Sequence, residues 1–231
     1  MRTLLILVVV VAIALIAGDR VAVVIAQNQI GRQIAAEYNL AQRPSVEIAG
    51  FPFLTQAAAG TYRTIDIGVG DWSNDTITVA DLDVTLTDVS APLADLIDNR
   101  TANLVAATAT ATALVPYDVV RDFAPEGVET IANSPEGLRV TGTFPIAGLD
   151  VPATITVTVA PTADGIEVTP IAAQPANGGP TISLSVLRRT LTFVVPLQRL
   201  PFGAQLTAIQ PTDNGLHTTS VAHNVRFSDL P

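Results

Sequence analysis

Apolar positions along this chain fall into three successive rhythms: a continuous block, a helical stripe, and a long region of alternation. The block is Leu4–Ala17, preceded by the positive start Met1-Arg2-Thr3. Its 14 residues make a helix of about 21 Å, short of the ~30 Å hydrocarbon core of a bilayer. Apolar residues resume at Val21–Ala26, but Asp19-Arg20 stand between. One span through Ala26 would bury both charges at roughly 2.5–3.5 kcal/mol each unless they pair. Length and flanks favour a secretory signal over a spanning helix. The cleavage site is poor, because Ala12-Ile13-Ala14 lies inside the apolar run and Leu15 is too large in Leu15-Ile16-Ala17. Removal of the segment and its retention as an anchor both stay open. The expected layout is residues 1–18 as signal peptide or membrane anchor and 19–231 as a single elongated domain.

Asp19 has the side chain of an N-cap, and a helix is expected from there to about Leu40. Val23, Ile30, Ile34 and Tyr38 form its apolar stripe, with Gln27, Gln33 and Glu37 off it. Arg43-Pro44 is expected to close it. Beyond Pro44 the period becomes two. Strands are predicted at Ser45–Ala49, Thr61–Val69, Thr76–Val89 (bulged near Asp81), Ala102–Val115, Leu138–Ile146, Val151–Ala160, Ile166–Ile171, Thr192–Leu197, Gln205–Gln210 and Leu216–Phe227. Threonine alternates with alanine at 108–113 and with Ile or Val at 154–159, the mark of sheets with one face on a core. Short helices are expected at Leu93–Asp98, Pro116–Phe123 and Thr181–Arg189. The fold class is α+β: a long N-terminal helix packed on a curved, mostly antiparallel sheet.

Composition narrows the function. Twelve basic residues, all arginine, face 21 acidic ones, giving a net charge of -9. No basic cluster exists to neutralise phosphates, so nucleic acid is not the expected partner. The same sign argues against holding an anionic membrane by bulk electrostatics. Cysteine is absent, which removes disulfides, thiolate chemistry and a thioether-linked lipid anchor.

Catalytic patterns fail one by one. His217 and His223 lie six apart in a predicted strand, roughly 20 Å along it, too far to share a metal ion. Without lysine there is no complete P-loop and no Ser-Lys chemistry, and no Gly-x-Ser-x-Gly occurs. Gly68-Val69-Gly70 opens like a dinucleotide loop but meets Ser73 at the third glycine position, and reads as a turn. Asp81 and Asp83, near Asp75 and Asp88, are the one carboxylate pair with spacing for glycoside cleavage, yet alternating Asp on a strand is ordinarily its solvated face. Arg188-Arg189 reads as a solvated helix face, and the sequons at Asn74 and Asn99 mark turns. No cofactor motif is present.

What remains is apolar. Gly50-Phe51-Pro52-Phe53-Leu54 and Leu200-Pro201-Phe202 put aromatic residues in turns, where polar residues are usual. From spacing alone such turns plug the ends of the sheet as ordinary core. The alternative is that they line the mouth of an apolar cavity.

At these residues the chain resembles the LmeA-like phospholipid-binding proteins of the actinobacterial cell envelope. The similarity runs from Asp19-Arg20-Val21 through Val46–Gln56 and Gly60. It continues through Gly165–Val168 to Leu200–Gly203 and Asp213–Leu216. Gly-Phe-Pro-Phe-Leu-Thr-Gln is its most specific part; the Ala/Thr-rich run 106–113 departs from the pattern. The resemblance implies an exported or membrane-tethered protein of the periplasm or cell envelope. It implies a phospholipid partner, of inositol type, and a role in maturing lipoglycans such as lipomannan. It also implies a tubular lipid-binding (TULIP-like) fold with an acyl chain between helix and sheet, and carries no catalytic motif. It thus favours the cavity over plugging. The lipid-binding residues it points to are Ile30, Ile34, Phe51, Phe53, Leu54, Phe202 and Leu206. Two other readings remain: an envelope scaffold with a packed core that recruits a glycosyltransferase, and a glycan-active enzyme using Asp81 and Asp83.

Overall fold

The structure is a computed structural model that describes residues 2–40, 42–73, 78–92, 103–146, 149–163, 165–175, 183–196 and 200–226. The apolar block and the helical stripe join into one helix, α1 (Arg2–Glu37). Asp19 therefore starts no helix, contrary to expectation; it sits inside one. Nothing in Gly18-Asp19-Arg20 interrupts the ladder of backbone bonds, since a single interior glycine costs only about 1 kcal/mol. The helix stops at Glu37, short of Arg43-Pro44. Asn39 turns left-handed (φ 50°), and the Leu40 N–H donates to the Ala35 carbonyl at 3.0 Å. Of the predicted stripe, Val23 is buried, Ile30 and Ile34 are half-buried, and Tyr38 lies exposed beyond the helix end.

The chain then doubles back across α1 at Gly31. A Cβ there would stand 2.9 Å from the Pro44 carbonyl oxygen, so only glycine allows the crossing. β1 (Ser45–Ala49) follows and packs on α1. Next come α2 (Phe53–Ala59), β2 (Thr61–Ser73), β3 (Thr78–Ser90), β4 (Val105–Pro116) and α3 (Tyr117–Asp122). β5 (Val128–Ser134), β6 (Gly137–Ile146), β7 (Leu149–Thr162), β8 (Gly165–Pro175), α4 (Leu184–Leu191) and β9 (Phe193–Pro196) continue the chain. A 3-10 turn at Pro201–Gly203, β10 (Gln205–Pro211) and β11 (Gly215–Arg226) complete it.

The strands form two sheets, β1-β2-β3-β4-β11-β10 and β5-β6-β7-β8-β9. Pairing is antiparallel at β1–β2, at β10–β11 and throughout the second sheet. The expected α+β class with a long N-terminal helix is observed. Asp81, where a bulge was expected, has a left-handed φ of 49° within β3. The Leu93–Asp98 helix and both sequon asparagines fall outside the described residues.

Two elements escaped the sequence reading. α2 was read as a turn because Gly50 and Pro52 dominate its approach. β5 was missed because its apolar residues, Val128 and Ile131, are three apart. A register shift between Val128 and Thr130 removes one residue from the alternation and returns both side chains to the core.

The chain divides into two compact units, Met1–Gly70 with Asp83–Ala111 and Ala222–Pro231, and Asp71–Leu82 with Thr112–Val221. The second unit has a closed core in which Phe144, Leu138, Ile155, Ile166, Leu187 and Leu216 lose essentially all contact with water. There α3 packs on β5, α4 on β8, and β10 on β7. Its interior polar groups are satisfied: Tyr117 Oη donates to the Thr212 carbonyl (2.6 Å) and Thr218 Oγ1 to that of Ala113 (3.0 Å). The first unit gathers a smaller core of Ile48, Tyr62, Ile65, Leu86 and Val89 beside α1 and α2.

Candidate functional site

The seven-residue motif at Gly50–Gln56 builds a corner between α1 and α2. Gly50 turns the chain out of β1 at φ 102°, and a Cβ there would meet Gln56 Nε2 at 2.8 Å. The Phe51–Pro52 peptide is cis. Phe53 is buried and stacks obliquely on Tyr62, ring centres 6.2 Å apart. Burial pushes the Tyr62 phenol above its ordinary pKa. Gln56 fastens the corner to the sheet: its Nε2 donates to the Ala49 carbonyl, and its Oε1 accepts the Arg63 N–H, both at 3.2 Å.

α2 has Pro52 at its N-cap and no capping side chain of its own. The cap comes from α1. Asp19, only 2% exposed, accepts the Leu54 N–H at 2.7 Å and holds Arg20 Nη2 at 2.6 Å. The Arg20 guanidinium in turn lies over the Phe51 ring, 5.0 Å from its centre. Asp19 thus caps a different helix from the one expected. Two charges set in an apolar helix are answered by the motif 30 residues later, and by each other. Asp19-Arg20 between two apolar runs was the sequence signal for this contact, since such charges are costly unless partnered.

With the polar groups turned inward, the apolar ones face out. Phe51 is 61% exposed and Leu54 47%, alongside exposed Val21, Val24 and Ile25 of α1. Phe51, Phe53 and Leu54 are therefore brought together. Ile30 and Ile34 lie on the same helix, about 15–23 Å beyond Asp19, half-buried. Phe202 and Leu206 belong to the second unit, where Phe202 sits half-buried in the 3-10 turn at φ 59° and Leu206 packs against the core.

The described residues include two hollows of different character. One of about 10 Å³, beneath Phe144, Ile155 and Leu191 in the second unit, has room for roughly one water. The other, about 320 Å³, is an open groove on β1–β3 lined by Ser45, Glu47, Asp66, Gly68, Asp83 and Thr85. Thr85 Oγ1 donates to Asp66 there at 2.7 Å. Neither is an apolar channel. No group of three or more His, Asp or Glu suited to a metal occurs among the described residues.

Residues 17–220 match the model of the LmeA-like phospholipid-binding family. This chain belongs to that family. The match begins two residues before Asp19, so the charged pair that caps α2 belongs to the LmeA-like region and the first 16 residues precede it. No curated protein and no solved structure matches the chain. An LmeA-like chain binds phospholipid, and the corner at Asp19–Arg20 and Gly50–Gln56 is where its most specific motif is spent.

Proposed function

We propose that this chain is an exported or membrane-tethered phospholipid-binding protein of the cell envelope, without catalytic activity, that holds an acyl chain in an apolar cavity. Ile30, Ile34, Phe51, Phe53, Leu54, Phe202 and Leu206 are the residues assigned to it. The proposed lipid has an inositol-type headgroup, and the proposed role is support of lipoglycan maturation of the lipomannan type, with envelope glycosyltransferases as partners. The observation that carries the reading is the family match across residues 17–220, joined to the exposure of Phe51 and Leu54 within its most specific motif. Burial of acyl methylenes drives capture at about 0.8 kcal/mol each, so eight supply about 6 kcal/mol before losses. Capture of this kind needs no positive charge, which suits a chain at -9.

The test is mass spectrometry of the full chain extracted from its native membrane, followed by exchange with liposomes. Co-purifying phospholipid that exchanges is the expected result. A chain free of lipid that takes none from liposomes overturns the reading. A second reading, an envelope scaffold, is favoured by the closed packing of the second unit. Phe51→Asp separates the two: a folded protein that has lost its lipid supports the first, and an unfolded protein supports the second.

A further inference from the structure

We infer that the α1–α2 corner is seated in the bilayer itself, with Phe51 and Leu54 against the acyl chains of the outer leaflet and α1 crossing the membrane from Leu4 to about Ile25. This deepens the phospholipid-binding reading and rests on it for the tethered state. By sequence the apolar block ends at Ala17, giving a segment too short to span. Asp19 and Arg20 were the reason to stop there. In the structure the pair is partnered, with the Arg20 side chain half exposed. Asp19 is buried, bonded to Arg20 and capping α2, while Arg20 is covered on one side by the Phe51 ring. A paired arginine with an exposed guanidinium keeps its stem in apolar surroundings while its head reaches toward the headgroups.

The exposed apolar surface resumes beyond the charged pair. Leu4–Leu7, Val8–Val11, Ile13, Leu15 and Ile16 are exposed on all sides, and Val21, Val24 and Ile25 carry the surface past the charged pair. A helix apolar all round is one that nonpolar surroundings enclose. From Leu4 to Ile25 is roughly 22 residues, or about 33 Å, which matches the hydrocarbon thickness that Leu4–Ala17 does not reach. α1 is long and apolar enough to cross a membrane. Phe51 and Leu54 extend the same surface sideways from the level of Asp19. Arg20, beside the Phe51 ring, has a stem long enough to carry its guanidinium from the acyl layer toward the headgroups. The occupant of this surface is therefore the phospholipid bilayer.

The absence of cysteine makes the test direct. Full-length variants Ile25→Cys, Phe51→Cys and Leu54→Cys, with Glu136→Cys as an exposed control, are labelled with an environment-sensitive fluorophore. They are reconstituted in phosphatidylcholine–phosphatidylglycerol vesicles. Quenching by aqueous iodide at positions 25 and 54 is expected to be about fivefold weaker than at 136, with strong quenching by lipids carrying a nitroxide on the acyl chain. Position 51 repeats the measurement where the label replaces the ring. Iodide quenching at 25 and 54 equal to that at 136 overturns the inference. So does an intact mass showing that membrane-extracted protein begins after Gly18. Lipid content keeps the two ideas apart. Protein that carries exchangeable phospholipid while position 54 stays in water removes this seating alone. Protein shielded at 54 but empty of lipid removes the binding reading alone.

Discussion

The two units of this chain spend their apolar residues in opposite ways. In the second, Phe144, Leu138 and Ile155 are sealed, and a void beside Phe144 and Ile155 holds about one water. In the first, polar side chains are drawn inward at the α1–α2 corner while Phe51, Leu54, Val21 and Ile25 are left outside. A buried aspartate beneath an exposed phenylalanine inverts the usual arrangement of a soluble domain. Such an inversion is stable only if something other than water meets the exposed side. The second unit thus closes its core, and the first leaves apolar side chains at its surface.

Substitutions can break this contrast. The largest stability effect is expected for Phe144→Ala, which empties a fully buried site in the second unit and costs about 3–5 kcal/mol, measured by denaturant unfolding. Asp19→Ala comes next. It leaves the Leu54 N–H without its acceptor and Arg20 without its partner, so the melting temperature falls, by less than for Phe144→Ala. Phe51→Ala is expected to move unfolding by no more than about 1 kcal/mol, since the ring is mostly exposed and loses little beyond its contact with Arg20, while co-purifying phospholipid drops several-fold. If Phe51→Ala unfolds the protein as severely as Phe144→Ala does, the contrast is void.

A smaller effect is confined to alkaline pH. Burial, and the Asp213 carboxylate nearby, hold the Tyr117 phenol above its ordinary value. A raised folded pKa favours the protonated folded state, so this contribution is complete below about pH 10 and is lost as pH rises through the folded value. Melting temperatures between pH 9 and 11.5 are expected to fall less steeply for Tyr117→Phe than for the parent chain. The smallest effect belongs to Asp81→Asn with Asp83→Asn. Both residues are exposed, and neither lipid content nor melting temperature is expected to change.

Much of this architecture was legible. Ser45–Ala49 was recovered to the residue, and most other strands to within a few, because alternation directly reports which face of a strand is dry. The motif Gly50–Gln56 was recognised, but its structure was not. Read locally, Gly-Phe-Pro describes a turn, and the residue that makes it a helix start is 35 positions away. β5 failed for a related reason, since its bulge is defined by pairing with β6 and leaves a spacing of three in the sequence.

By itself, then, the sequence determined the α+β class, the family and the order of nearly all strands, each of which depends on neighbours a few residues apart. Tertiary structure alone decided that Asp19 caps α2, that Arg20 covers Phe51, and that the strands divide into two sheets. Those are pairings between distant segments, and periodicity records that a residue is buried without recording what buries it.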